Sequence, residues 1–185
     1  MRWDLATCGV RPLRPDDAPS LAAHADNHAI WRNLRDRFPH PYTEDDATGF
    51  IAAARAADPP TTFGIEVEGA VAGTVGFTLQ TDVERCSAEI GYWLGEAFWG
   101  RGILTEVLRA VTPWAFDAYS LSRVFALPYA DNAASRRVLE KAGYHLEGIL
   151  RRSAVKGGES KDQALYGFVR DPADDPPGFL DGHGP

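Results

Sequence analysis

Gly100-Arg101-Gly102 stands between an apolar, aromatic stretch and the start of a helical pattern, in the run GYWLGEAFWGRGILTE. Two glycines one residue apart strip the backbone of side chains where a helix presents its unpaired N–H groups. Such a junction suits an anionic ligand, usually a phosphate, and it also suits a plain tight turn. Two phosphate motifs are missing. No GxxxxGK precedes Ser or Thr, and Thr105 occupies the last position of what would be a GxGxxG fingerprint. Other groups of chemical interest lie nearby in sequence. Glu89 is the carboxylate of the otherwise apolar run AEIGYWL, and Ser135 follows Asn132 by three residues at the head of NAASRRVLEKAG. Asn132 there reads as a helix cap with Ser135 in the first turn. The five histidines form no HExxH or paired pattern, and Cys8 and Cys86 have no redox or metal spacing, so no metal site is expected.

These residues need a framework, and the hydrophobic periodicity supplies one. LATCGVRPLR has strand character up to Pro15; PDDAPSLAAHADN reads as a helix, and HAIWRNLRD as a second short one. FPHPYT, from Phe38 to Thr43, is irregular because its two prolines remove donors and restrict their neighbours. Thr43 with Asp46 makes a variant capping box for TEDDATGFIAAARAA, whose Ala47, Phe50, Ile51 and Ala54 share one face. TTFGIEVEGAVAGTVGFTLQT is two strands turning at Glu68-Gly69, and CSAEIGYWL is the next strand. Apolar residues from Ile103 to Ala118 recur at helical spacing around Pro113, which should kink that helix. RVFALPYA is a strand, NAASRRVLEKAG a helix ending at Gly143, and YHLEGILRRSAV and SKDQALYGFVR are two strands about Gly157-Gly158. The order predicts a mixed α/β (α+β) domain with a largely antiparallel sheet, not a doubly wound parallel one.

Composition narrows the classes. A chain of 185 residues that is 44% hydrophobic and 24% charged fits one domain with a proper core, over about residues 1–170. The segment 171–185 is acidic and rich in Pro and Gly, and reads as an extended or disordered tail. A formal charge of −7 argues against nucleic-acid binding by phosphate neutralisation. No apolar run is long enough for a membrane span and no signal-peptide core is present, so a reduced, cytoplasmic setting is expected.

One further pattern extends over most of the chain. RPLRPDDA, GTVGF, AEIGYWLGEAFWGRGILTE, DNAASRRVLEKAGYHLEGILR and the late Asp162 with LYGFV occur in that order between residues 9 and 170. Together they resemble the GNAT superfamily of N-acetyltransferases, in particular the RimJ/RimL-type ribosomal-protein N-terminal acetyltransferases. The resemblance implies a seven-strand sheet flanked by helices and splayed between the fourth and fifth strands, AEIGYWL and RVFALPYA, with acetyl-coenzyme A in the V. It also implies that amides from Trp99 to Leu104, including those of Gly100, Arg101, Gly102 and Ile103, cradle the pyrophosphate. The superfamily motif often carries Gln or Arg where this chain has Ala97. Arg101, Arg137 and Lys141 are either phosphate contacts or a solvated face.

By the same resemblance, Glu89 is a candidate catalytic base acting through water, its alternative being an edge-facing or ion-paired carboxylate. A bulge near Trp93 and Leu94 should expose a backbone N–H to polarise the thioester carbonyl. Asn132 and Ser135 resemble the family's NxxS at the coenzyme thiol, with Ser135 the candidate hydrogen-bond donor to sulfur and Tyr129 and Tyr144 fallback acids. The acceptor amine should enter over the first two helices, near Asn27, Arg32, Phe38 and Tyr42, although FPHPYT could equally be a rigid connector. The activity implied is direct acetyl transfer from acetyl-coenzyme A, as co-substrate, to a primary amine such as a protein N-terminal α-amine. The alternatives are a small amine (polyamine, amino sugar or aminoglycoside) as acceptor, or a non-catalytic acyl-coenzyme A binder. A homodimer is compatible with the exposed strands and aromatic residues.

Overall fold

The capping box at Thr43 forms as the sequence predicts: its hydroxyl oxygen accepts from the Asp46 N–H, and the Asp46 carboxylate accepts from the Thr43 N–H at 2.8 Å. It starts helix α3 (Glu44–Ala56) of a computed structural model that describes residues 1–174. Ahead of it lie α1 (Ala18–Ala25), entered through a 3-10 turn at Pro15–Asp17, and the single turn α2 (His28–Trp31). Ala47 and Ile51 face the core as expected, whereas Phe50 is exposed. α2 is also shorter than the HAIWRNLRD pattern.

Among the described residues eight strands form one sheet, one more than the resemblance implies. They are β1 (Trp3–Asp4), β2 (Gly9–Pro12), β3 (Thr62–Val67), β4 (Ala70–Leu79), β5 (Ser87–Leu94), β6 (Arg123–Ala126), β7 (His145–Lys156) and β8 (Glu159–Val169). Their spatial order is β1-β2-β3-β4-β5-β6-β8-β7. The added strand is β1, whose two residues pair with Gly9 and Val10. The β3–β4 hairpin turns at Glu68-Gly69, both at positive φ (54° and 86°), as a two-residue turn requires. All neighbours run antiparallel except β5 and β6, which are parallel and pair over only three positions: Ser87 with Arg123, Ala88 with Val124 and Glu89 with Phe125. Beyond Glu89 the two strands separate, and the sheet opens into a V.

Side chains on the two sheet faces enter two cores. On one side, Ile90 and Leu94 of β5 pack with Ile103, Val107, Leu108 and Val111 of α4 (Ile103–Ala118) and Leu139 of α5 (Ala133–Lys141). On the other, Trp93 packs under α1, α2 and α3 with Leu21, Ile30 and Ile51. α4 runs through Pro113 without ending there. Most of the expected acidic tail, residues 175–185, lies outside the described residues; Pro172–Asp174 make one 3-10 turn.

Candidate active site

Alternation along β5 decides what the V contains. Gly95 N–H donates to Ala72 O and Gln80 N–H to Ser87 O, which fixes the odd-numbered residues of β5 as those hydrogen-bonded to β4. The even-numbered backbone groups therefore point the other way. At Ala88 they meet β6; at Tyr92 and Leu94, past the end of the pairing, they face the cleft. The β4–β5 register is unbroken from Gly73–Leu94 to Leu79–Ala88, so the expected bulge is absent. It is the divergence of β5 from β6 that exposes N–H groups, and they belong to Tyr92 and Leu94; that of Trp93 joins the β4 ladder. The strands approach so closely here that a Cβ on Gly73 would lie 2.3 Å from the Trp93 carbonyl oxygen.

The cleft has a volume of about 1120 Å³ and runs from the start of α4, past Ser135 and Glu89, to the loop before α3. At the α4 end, Gly100 and Gly102 hold φ of 76° and 80°, and a Cβ added at either would meet nothing within 4 Å. Left-handed backbone, rather than crowding, makes glycine the fitting residue there. Gly102 is the N-cap and has no side chain to satisfy the first turn, so the amides of Ile103, Leu104 and Thr105 are left to whatever fills the cleft. Trp99 closes this corner, its indole N–H donating to Leu94 O at 2.7 Å. Arg137 and Lys141 line the same cleft from α5. Arg101 does not: its guanidinium pairs with Glu68 at 3.0 Å and lies 5.1 Å from the Phe98 ring centre.

Asn132 caps α5 by accepting from Ser135 N–H at 3.1 Å, which sets Ser135 on the cleft wall. Facing it across the cleft floor is Tyr92, absent from the sequence-derived candidates, with its hydroxyl 2.8 Å from Ser135 Oγ. Burial pushes the Tyr92 phenol above its ordinary range. The fallback acids sit elsewhere. Tyr144 is buried with its hydroxyl 2.7 Å from that of Thr112, and Tyr129 is buried in a bridge to Gln163; neither lines the cleft.

Glu89 occupies the apex of the V, on the opposite face of β5 from Tyr92. It lines the cleft, and its carboxylate accepts from the Arg35 guanidinium. Beyond it the cleft is walled by Phe38 and Tyr42, whose rings are 4.7 Å apart, and by Trp93, edge-on to Phe38 at 5.7 Å. Burial and the nearby Asp46 push the Tyr42 phenol up to about 12. Asn27 and Arg32 do not reach this lobe. Asn27 caps α2 by accepting from Ala29 N–H and donates to Glu96 at 2.7 Å, while Arg32 is exposed. The loop between α2 and α3 is held on both sides: Arg35 by Glu89 of β5, and Asp36 by Lys156 of β7 at 2.8 Å. Lys156 is itself buried, its ammonium 3.9 Å from the Trp31 ring centre.

A family model described as an acetyltransferase (GNAT) domain matches residues 8–145. Among curated relatives, the uncharacterized N-acetyltransferase YoaA of Bacillus subtilis (strain 168) is 38% identical over 98 residues, covering 53% of this chain and 55% of the relative. The ribosomal-protein-serine acetyltransferase of Escherichia coli (strain K12) is 30% identical over 109 residues, 59% of this chain and 60% of the relative. The chain thus spans about half the length of the curated relatives it matches. Mycobacterium smegmatis RimJ in complex with CoA-disulfide superposes with a TM-score of 0.78 at 28% identity, covering 88% of this chain and 81% of that one. The ribosomal-protein-S5-alanine acetyltransferase of Vibrio fischeri has a TM-score of 0.82 over 96% of this chain and 100% of its own, at 21% identity, a likeness of fold.

Proposed function

The chain belongs to the GNAT acetyltransferase family, and from that premise we propose that it transfers an acetyl group from acetyl-coenzyme A directly to a primary amine. The observation that carries this reading is the continuity of one cleft, from the open N-terminus of α4, past Ser135, to Glu89 and the aromatic lobe. The donor set fits a diphosphate-bearing thioester: uncapped amides at Ile103, Leu104 and Thr105, with the cations of Arg137 and Lys141 beside them. When bound, acetyl-coenzyme A supplies the activated acyl group.

The chain's own residues divide the remaining work. The N–H groups of Tyr92 and Leu94 lie where a carbonyl or amide oxygen can be held, and the Ser135 hydroxyl lies where a sulfur can accept a hydrogen bond. Glu89 takes a proton from the incoming ammonium, directly or through water, once the acceptor replaces Arg35 as its partner. A lysine-type amine titrates near ~10 and a protein α-amine near ~8, so the α-amine demands less of that base at neutral pH. Phe38 and Tyr42 wall the acceptor lobe, and Asp45 and Asp46 line its α3 end, an arrangement suited to a cationic acceptor. The name of the Escherichia coli relative, a ribosomal-protein-serine acetyltransferase, supports a protein acceptor.

Thiol release from acetyl-coenzyme A tests the reading against three pools: short N-terminal peptides, polyamines, and amino sugars with aminoglycosides. Release above a no-acceptor blank in the peptide pool is expected. Release confined to another pool replaces the acceptor class, and binding without release in any pool replaces the enzyme with a coenzyme-binding module.

A further inference from the structure

The pairing of Tyr92 with Ser135 has no counterpart in the roles assigned so far. The Tyr92 phenol lies 2.8 Å from Ser135 Oγ and 3.4 Å from the Ser135 carbonyl oxygen. The carbonyl can only accept, whereas the contact between the two hydroxyls can run either way; the direction from phenol to serine is the one that leaves the serine hydrogen for the cleft. A phenol keeps its hydrogen at neutral pH, and burial pushes this one's pKa further up. The Ser135 N–H is already committed to the Asn132 side chain. Once its oxygen accepts from Tyr92, the serine's own hydrogen has no acceptor among the described residues and is left for the cleft.

We propose that Tyr92 is a positioning residue: by donating to Ser135 it fixes the serine rotamer and makes the serine hydrogen the donor offered to the coenzyme's sulfur. This rests on the acetyl-coenzyme A reading of the cleft. A hydroxyl that accepts one hydrogen bond donates a stronger one, so the pair favours the thiolate more than a lone serine does. Tyr92 and Ser135 come from different elements, β5 and α5, so the contact also ties the floor of the V to one wall. Other ionisable groups facing this spot are Arg137 and Lys141 along the cleft, and the phenols of Tyr144 and Tyr166 behind it; Glu89 lies across the strand. Among the described residues none of these donates to or accepts from Ser135 Oγ.

The test needs no acceptor. The thiol of bound coenzyme A is titrated by thiolate absorbance on the unaltered protein, Tyr92→Phe and Ser135→Ala, with calorimetry and thermal melting on each. The bound thiol is expected to titrate below the free one on the unaltered protein. Ser135→Ala should remove that difference, and Tyr92→Phe should move the titration upward by roughly half a unit with coenzyme affinity kept. A Tyr92→Phe titration that coincides with the unaltered protein's overturns the proposal. So does a shift in Tyr92→Phe with none in Ser135→Ala, which would put the phenol itself on the sulfur. Calorimetry separates both results from failure of the underlying reading, in which the unaltered protein does not bind coenzyme A at all.

Discussion

A left-handed backbone at Gly102 imposes two demands that substitutions can separate. Asparagine tolerates positive φ better than other side chains, so Gly102→Asn should keep the fold at a cost of about 1 kcal/mol or less. Gly102→Glu adds backbone strain and a carboxylate beside the uncapped amides of α4. It should abolish coenzyme A binding in calorimetry while Gly102→Asn still binds; undiminished binding by the glutamate variant would dissociate this loop from the pyrophosphate. At this scale the sequence was readable where a residue's role is local. Asn132 and Ser135 fall in place because a cap and its third residue are neighbours along the chain. Arg101 was not readable, because its partner Glu68 comes from the distant β3–β4 turn. Asn27 looked free for a substrate, yet capping α2 and bonding Glu96 occupy it. Tyr92 was not readable either, because its partner Ser135 lies 43 residues further along the chain, on α5.

Elements are fixed to one another by groups whose charge depends on pH. Glu106 of α4 accepts from the Ala6 N–H at 2.7 Å, from the Thr7 N–H at 3.2 Å and from the Thr7 hydroxyl, pinning the β1–β2 connection to the helix. The Thr7 hydroxyl in particular holds this carboxyl below its ordinary range, against a smaller opposing effect of burial. A depressed carboxyl stabilises the fold above its unfolded value of about 4.3 and loses that contribution as pH falls through the folded value. The gap in melting temperature between the unaltered protein and Glu106→Gln should therefore be widest at neutral pH and narrow below about pH 4. A gap constant across that range would show the contact to be independent of the charge. Helix and hairpin boundaries were legible where turn chemistry marks them, as at Thr43 with Asp46 and at Glu68-Gly69. β1 was not, since two residues show no period. The bulge expected on β5 was wrong for a topological reason: a strand that loses its neighbour exposes its amides without any local distortion.

At the scale of the whole molecule, the loop between α2 and α3 bridges the V. Arg35 and Asp36, adjacent in sequence, hold strands β5 and β7, which lie on opposite jaws of the V. Lys156 anchors this strap by an ion pair and a cation–π contact with Trp31. Lys156→Met keeps the apolar stem and removes both contacts, and the released Asp36 carboxylate is already largely exposed. The variant should raise the acceptor KM several-fold and speed proteolysis within residues 32–41, with coenzyme A affinity unchanged. An unaltered acceptor KM would make the clasp a matter of stability alone.

The three-residue seam between β5 and β6 also bears on how the molecule behaves among copies of itself. A strand with free amides is an invitation for another strand to add on, and proteins guard such edges. The outer edge, β7, is interrupted by breaks in register around Glu147 and between Leu150 and Ala154, with Arg151 and Arg152 in the second. The inner edge, at Tyr92 and Leu94, is guarded by position instead. It lies at the bottom of a wedge between α4 and α5, where a lone extended molecule can lie alongside it but a second sheet cannot follow. The gap in the sheet is therefore expected to add little tendency to aggregate.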